Sequence, residues 1–76
     1  MSFNLARLYN KQADGLYPRL MARGEHLIRR GLEANWDEHE IWRDYYALVS
    51  EVILNPNFDI RRKFLQSVQY IKGEKH

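Results

Sequence analysis

Apolar residues recur along this chain at three- and four-residue steps, and no segment shows the strict alternation of a half-buried strand. The clearest stretch is WDEHEIWRDYYALVSEVIL, residues 36–54. Within it Ile41, Trp42, Tyr45, Leu48, Val49, Val52 and Ile53 fall together at about 100° per residue and cover nearly half of a helix circumference. A face that wide needs more than one partner helix. Asp37 and Glu40 have the spacing of a capping box, and Trp36 and Ile41 that of a hydrophobic staple, so the helix is predicted to start at the Asp37 cap. Asn55 tolerates a left-handed end conformation and Pro56 blocks continuation, which carries this helix through residue 54.

Three more segments have helical periodicity. Residues 3–13 place Leu5, Leu8, Tyr9 and Ala13 on one side. Asp14 and Gly15 give a turn signal and Pro18 suits a first helical turn, so the chain is expected to break near residues 14–17; the alternative is one long helix kinked at Pro18. Residues 17–33 gather Tyr17, Leu20, Met21, Leu27, Ile28 and Leu32 on one face, with Gly24 and Gly31 near its middle. Each interior glycine costs about 1 kcal/mol relative to alanine. A close helix contact at Gly24 and Gly31, facing Ala6 and Ala13 at the same seven-residue spacing, would offset that cost. For Gly31 the alternative is a weakened helix end before Asn35. A last helix over residues 58–72, capped by Asn57, carries Ile60, Phe64, Leu65, Val68 and Ile71 on one side, and residues 73–76 are expected to fray.

The fold class that follows is all-α: a single domain over residues 1–76, a small up-and-down bundle of three to four helices with an antiparallel hairpin at its centre. Charge supports the hairpin. Arg19, Arg23 and Arg30 flank the apolar face of the second helix, and Glu40, Asp44 and Glu51 the corresponding flank of the central one. An antiparallel arrangement brings the two flanks to the same side. The three arginines then either pair internally or face a partner.

Composition narrows the function. The net charge is only +2, but it is unevenly distributed: residues 1–34 hold six basic and three acidic groups, residues 35–54 one and five, residues 55–76 five and two. With no cysteine, disulfides and thiolate metal sites are excluded, and a reducing compartment is suited. No apolar run approaches the ~20 residues of a membrane span, and the N-terminus lacks a signal-peptide core, so a cytoplasmic location is expected. His26, His39 and His76 are the only histidines, and no HExxH, phosphate-binding glycine loop or GxSxG is present, so neither catalysis nor a cofactor is expected. Asp37, Glu38, His39 and Glu40 are consecutive on a helix and point in different directions, so no metal site is expected.

Protein association, with another protein or a second copy, is the favoured function. It rests on ten aromatic residues in 76, with Trp42, Tyr45 and Tyr46 as the candidate contacts on the central helix. This suits a small adaptor or regulator of bacterial or phage type. The competing function is nucleic-acid binding, with Arg19, Arg23, Arg29, Arg30, Arg61, Arg62 and Lys63 as phosphate contacts and Tyr70 as a stacking platform. Against it, the acidic stripe of the central helix offsets the first arginine cluster, and the turn before that helix leads into acidic residues that phosphate would repel.

Overall fold

The structure, a computed structural model, describes residues 14–74. The helix expected over residues 3–13, with Ala6 and Ala13, lies outside the described residues, as do residues 75 and 76. Among the described residues three long helices run up, down and up: α1 (Pro18–Glu33), α2 (Glu38–Ser50) and α3 (Ile60–Gly73). Residues 14–16 are also helical, so Asp14 and Gly15 do not form the expected turn. The break is Tyr17 alone, at φ −130° and ψ 56°, with Pro18 opening α1. Proline disfavours helical geometry in the residue before it, which is why the chain breaks there and does not run on as one kinked helix.

The hairpin turn is a Schellman motif. Asn35 is left-handed at φ 58°, the Trp36 N–H reaches back to the Gly31 carbonyl at 2.9 Å, and the Asn35 N–H to Leu32 at 3.2 Å. Asn35, not Asn55, is therefore the left-handed asparagine among the described residues. Asp37 stands at the N-cap of α2, but its side chain accepts no hydrogen bond, so the predicted capping box does not form. The Schellman turn has already set the entry of the chain, and the exposed carboxylate stays in water. Trp36 and Ile41, the predicted staple, converge on Gly31.

The helix α2 also stops four residues short of the expected end. Val52 and Ile53 both donate to the Val49 carbonyl, at 3.1 and 2.9 Å, and the chain turns so that Ile53 and Phe58 are buried at one end of the bundle. Asn57 is not the cap of α3. Its N–H donates to Asn55 Oδ1 at 2.9 Å and the Phe58 N–H to the Asn55 carbonyl at 3.0 Å, a turn that buries Phe58 and delays the helix to Ile60. Asp59 takes the capping role, its Oδ1 accepting from the Arg62 N–H at 3.0 Å. Asp59→Ala is therefore expected to cost about 1 kcal/mol, and Asp37→Ala no more than a few tenths. Urea denaturation checks the order, and a larger loss at Asp37 would contradict it.

Glycines bring α1 and α2 together. A Cβ on Gly24 would lie 2.7 Å from Tyr45 Cε2, and one on Gly31 2.6 Å from Ile41 Cγ1 and 3.2 Å from Trp36 Cε3. Both glycines mark close contacts, so Gly31 is a packing residue and not merely a weak helix end. Side chains of α2 fill the spaces, not an approaching backbone. Pairing Gly31 with Ile41 and Gly24 with Tyr45 makes the hairpin antiparallel. Opposite it, Phe64 of α3 meets the rings of Trp42 and Tyr45 at centroid distances of 5.2 and 5.3 Å. At the far end Lys72 Nζ lies 3.6 Å from Glu38 Oε1, so α3 is antiparallel to α2 and parallel to α1.

The expected charge pairs across the hairpin do not form. Among the described residues the ion pairs join Arg29 to Glu25 (2.7 Å) and Glu74 (2.6 Å), Lys63 to Asp14 (2.7 Å) and Lys72 to Glu38, and none uses Arg19, Arg23, Arg30, Glu40, Asp44 or Glu51. Arg23, Arg30 and Asp44 do share a flank, but a groove of about 470 Å³ lies between the two walls. Nor does the chain fray from residue 73: Gly73 ends α3 and Glu74 is held by Arg29.

Candidate protein-interaction surface

On the α3 side of α2, one turn separates Trp42 from Tyr46, and their rings stack obliquely at 5.5 Å. Phe64 supports the Trp42 ring from α3. The guanidinium of Arg61, one turn earlier on α3, lies 4.8 Å from the Trp42 ring centroid, a cation–π contact that holds the indole in place. Beyond the end of α2, the turn through Leu54, Asn55 and Pro56 completes a concave surface of about 610 Å³, floored by Ile53 and Phe58 and edged by Ile60. Its rim is open and mixed: Tyr46, 50% exposed, and Leu54, 80% exposed, stand beside the polar Ser50, Asn55, Asp59 and Arg61. Leu65, one turn after Arg61 on the same flank of α3, is also exposed.

Of the three aromatics expected to meet a partner, Trp42 and Tyr46 belong to this cleft and Tyr45 does not. Tyr45 is 1% exposed and packs against Phe64 and under Gly24, so it is a core residue. Burial pushes its phenol up to about 12, with a hydrogen-bonding contribution from Ser67 partly offsetting the shift and the Asp14 charge adding to it. The cleft also contains Leu54, Pro56 and Ile60, which were not among the predicted contacts. The signal for Leu54 was present: a large apolar residue two places before a proline that must end the helix.

The basic candidates do not gather on one surface. Arg29 is clamped between Glu25 and Glu74, whose hydrogen bonds and charges raise its affinity for the proton, while Arg29 in turn holds the Glu74 carboxyl below its ordinary value. Lys63 is paired with Asp14. Tyr70 is 63% exposed, but it stands in a hollow whose charged lining residues, Asp14, Glu25 and Lys63, are already held in ion pairs, so the hollow offers a phosphate no uncommitted cation. Arg61 is committed to Trp42, Arg62 is exposed beside it in sequence, and Arg23 and Arg30 lie along the groove between α1 and α2, with Arg19 exposed near the start of α1. Among the described residues no three His, Asp or Glu side chains converge to hold a metal ion, and no helix is long and apolar enough to cross a membrane.

Fold and surface together define a small helical bundle with an open aromatic cleft between two of its helices. No protein-family model matches the chain, and comparison with curated proteins and with solved structures gives no match either.

Proposed function

We propose that this protein is a non-enzymatic binding module that docks a segment of another protein in the cleft between α2 and α3. The observation that carries the reading is the half-exposed Tyr46 beside Trp42 and Leu54, over a floor of Ile53 and Phe58. Aromatics held rigid by packing, with a polar tip at the rim, give large contact area at low entropic cost, and such residues dominate binding energy where they can be fully desolvated. At the edge Asp59 and Arg61 put charges of both signs beside the apolar contacts, suited to polar main-chain groups of the partner. A cysteine-free chain suits an adaptor or regulator working in the reducing cytoplasm.

The test is a peptide display selection on the immobilised protein, followed by titration of the enriched peptides. Peptides with aliphatic or aromatic anchors are expected, and Tyr46→Ala should weaken them by about tenfold or more. Short DNA and RNA titrated at ~0.05 and ~0.2 M salt form the second arm, since several phosphate contacts would lose orders of magnitude in affinity over that range. Tight, salt-sensitive nucleic-acid binding that Arg61→Gln with Arg62→Gln abolishes and Tyr46→Ala leaves intact would overturn the proposal.

A further inference from the structure

The opposite flank of α2 carries a second open surface, the groove it forms with α1. Its floor is Leu27 and Leu48, closed at one end by Trp36, and its walls differ in sign. Arg23 and Arg30 line the α1 wall, with the exposed Arg19 a turn before Arg23; Asp44 lines the α2 wall, with the exposed Glu40 and Glu51 on the same stripe of the helix. None of these six side chains takes part in an ion pair among the described residues. From the contacts of Gly31 with Ile41 and Gly24 with Tyr45, Arg30 stands near the level of Glu40 and Arg23 near that of Asp44.

We infer that a second copy of this chain covers the groove, as a two-fold dimer in which each α1 lies over the partner subunit's α2. A two-fold axis parallel to the helices places α1 against the other copy's α2 at the same height, so the basic stripe of each subunit meets the acidic stripe of the other. An axis across the helices would instead set α1 on α1, arginine against arginine. Like charges thus reject one docking mode and opposite charges favour the other. The face is therefore self-complementary, which an isologous interface requires.

Its size sets the strength. A helix of 16 residues spans about 24 Å, and two adjacent helices present a face about 20 Å across, so each subunit would bury roughly 500 Å². That total sits near the lower bound of specific interfaces, so the dimer is weak and concentration-dependent. This inference does not rest on the aromatic cleft, which lies on the other flank of α2, and its test uses different residues.

The experiment is sedimentation velocity on the full chain from about 1 μM to about 1 mM, a range that spans micromolar to millimolar dissociation constants. Wild type is expected to pass from monomer to dimer within it. Two charge-reversed proteins, Arg23→Glu with Arg30→Glu and Glu40→Lys with Asp44→Lys, should each dimerise at least about tenfold more weakly, because two of the three charges on one stripe then match the sign of the stripe they meet. An equimolar mixture of the two should regain the dimer, since the acidic groove then faces the basic one. Circular dichroism establishes that each variant is folded, and neutral Arg23→Gln with Arg30→Gln replaces a reversal that is not. A monomer at every concentration would overturn the inference and leave the groove to another segment of this chain or to a different protein. Variants that dimerise like wild type, or a mixture no tighter than its components, would overturn it as well.

Discussion

Gly24→Leu is expected to lower the unfolding free energy by about 2 to 3 kcal/mol, although leucine is the better helix former by nearly 1 kcal/mol. Propensity and packing pull in opposite directions at this site, and the distances decide between them. The first added carbon would already sit 2.7 Å from Cε2 of Tyr45. That ring is no flexible chain end: it is buried against Phe64 and has nowhere to swing. Accommodating a leucine therefore means separating α1 from α2 along their whole contact. Urea denaturation of the wild-type, Gly24→Ala and Gly24→Leu proteins should give a descending series of midpoints. A leucine variant with a higher midpoint than wild type would mean that the Gly24–Tyr45 contact is loose.

Phe64→Ala should have the larger effect, about 3 to 5 kcal/mol. Phe64 is fully buried and touches the rings of both Trp42 and Tyr45. A chain of this length has a total stability of only about 4 to 11 kcal/mol, so the substitution consumes much or all of it. The expected result is a protein largely unfolded at physiological temperature, with collapsed near-ultraviolet circular dichroism and dispersion lost from the amide spectrum. Phe64→Leu, which keeps most of the volume, should retain the fold with a depressed midpoint. An alanine variant that melts cooperatively near wild type would show that α3 is held on by something other than this ring.

How far these features can be read from residue order differs from element to element. The α1–α2 hairpin is legible only in part: the wide apolar face on the second helix calls for a partner, but the charge pairs read as fixing its direction do not form, and the glycines read as facing Ala6 and Ala13 meet Tyr45 and Ile41 of α2. The ends of the helices are less so. Whether Asn57 or Asp59 caps α3 depends on Phe58 entering the core, which is a tertiary event, and the end of α2 depends on Ile53 doing the same. Among the aromatics, one helical step of about 100° decides between core and surface, and the sequence does not say which side of α2 the third helix will cover. Trp42 and Tyr46 lie on that edge and keep their open faces, whereas Tyr45 lies under it. Arg61 shows the same limit: in sequence it is one member of a basic run, and in the fold it is the lid on an indole.

The two tryptophans are placed so that each reports on a different surface. Trp36 lines the α1–α2 groove and Trp42 the α2–α3 cleft, and the chain holds no third indole. Intrinsic fluorescence is thus divided by geometry into two channels. With Trp36 replaced by phenylalanine, emission follows the cleft alone; with Trp42 replaced, it follows the groove, where an event that removes the half-exposed indole from water shifts its spectrum to the blue. Occupation of either surface is visible without a label, and parallel titrations of the two single-tryptophan proteins tell them apart.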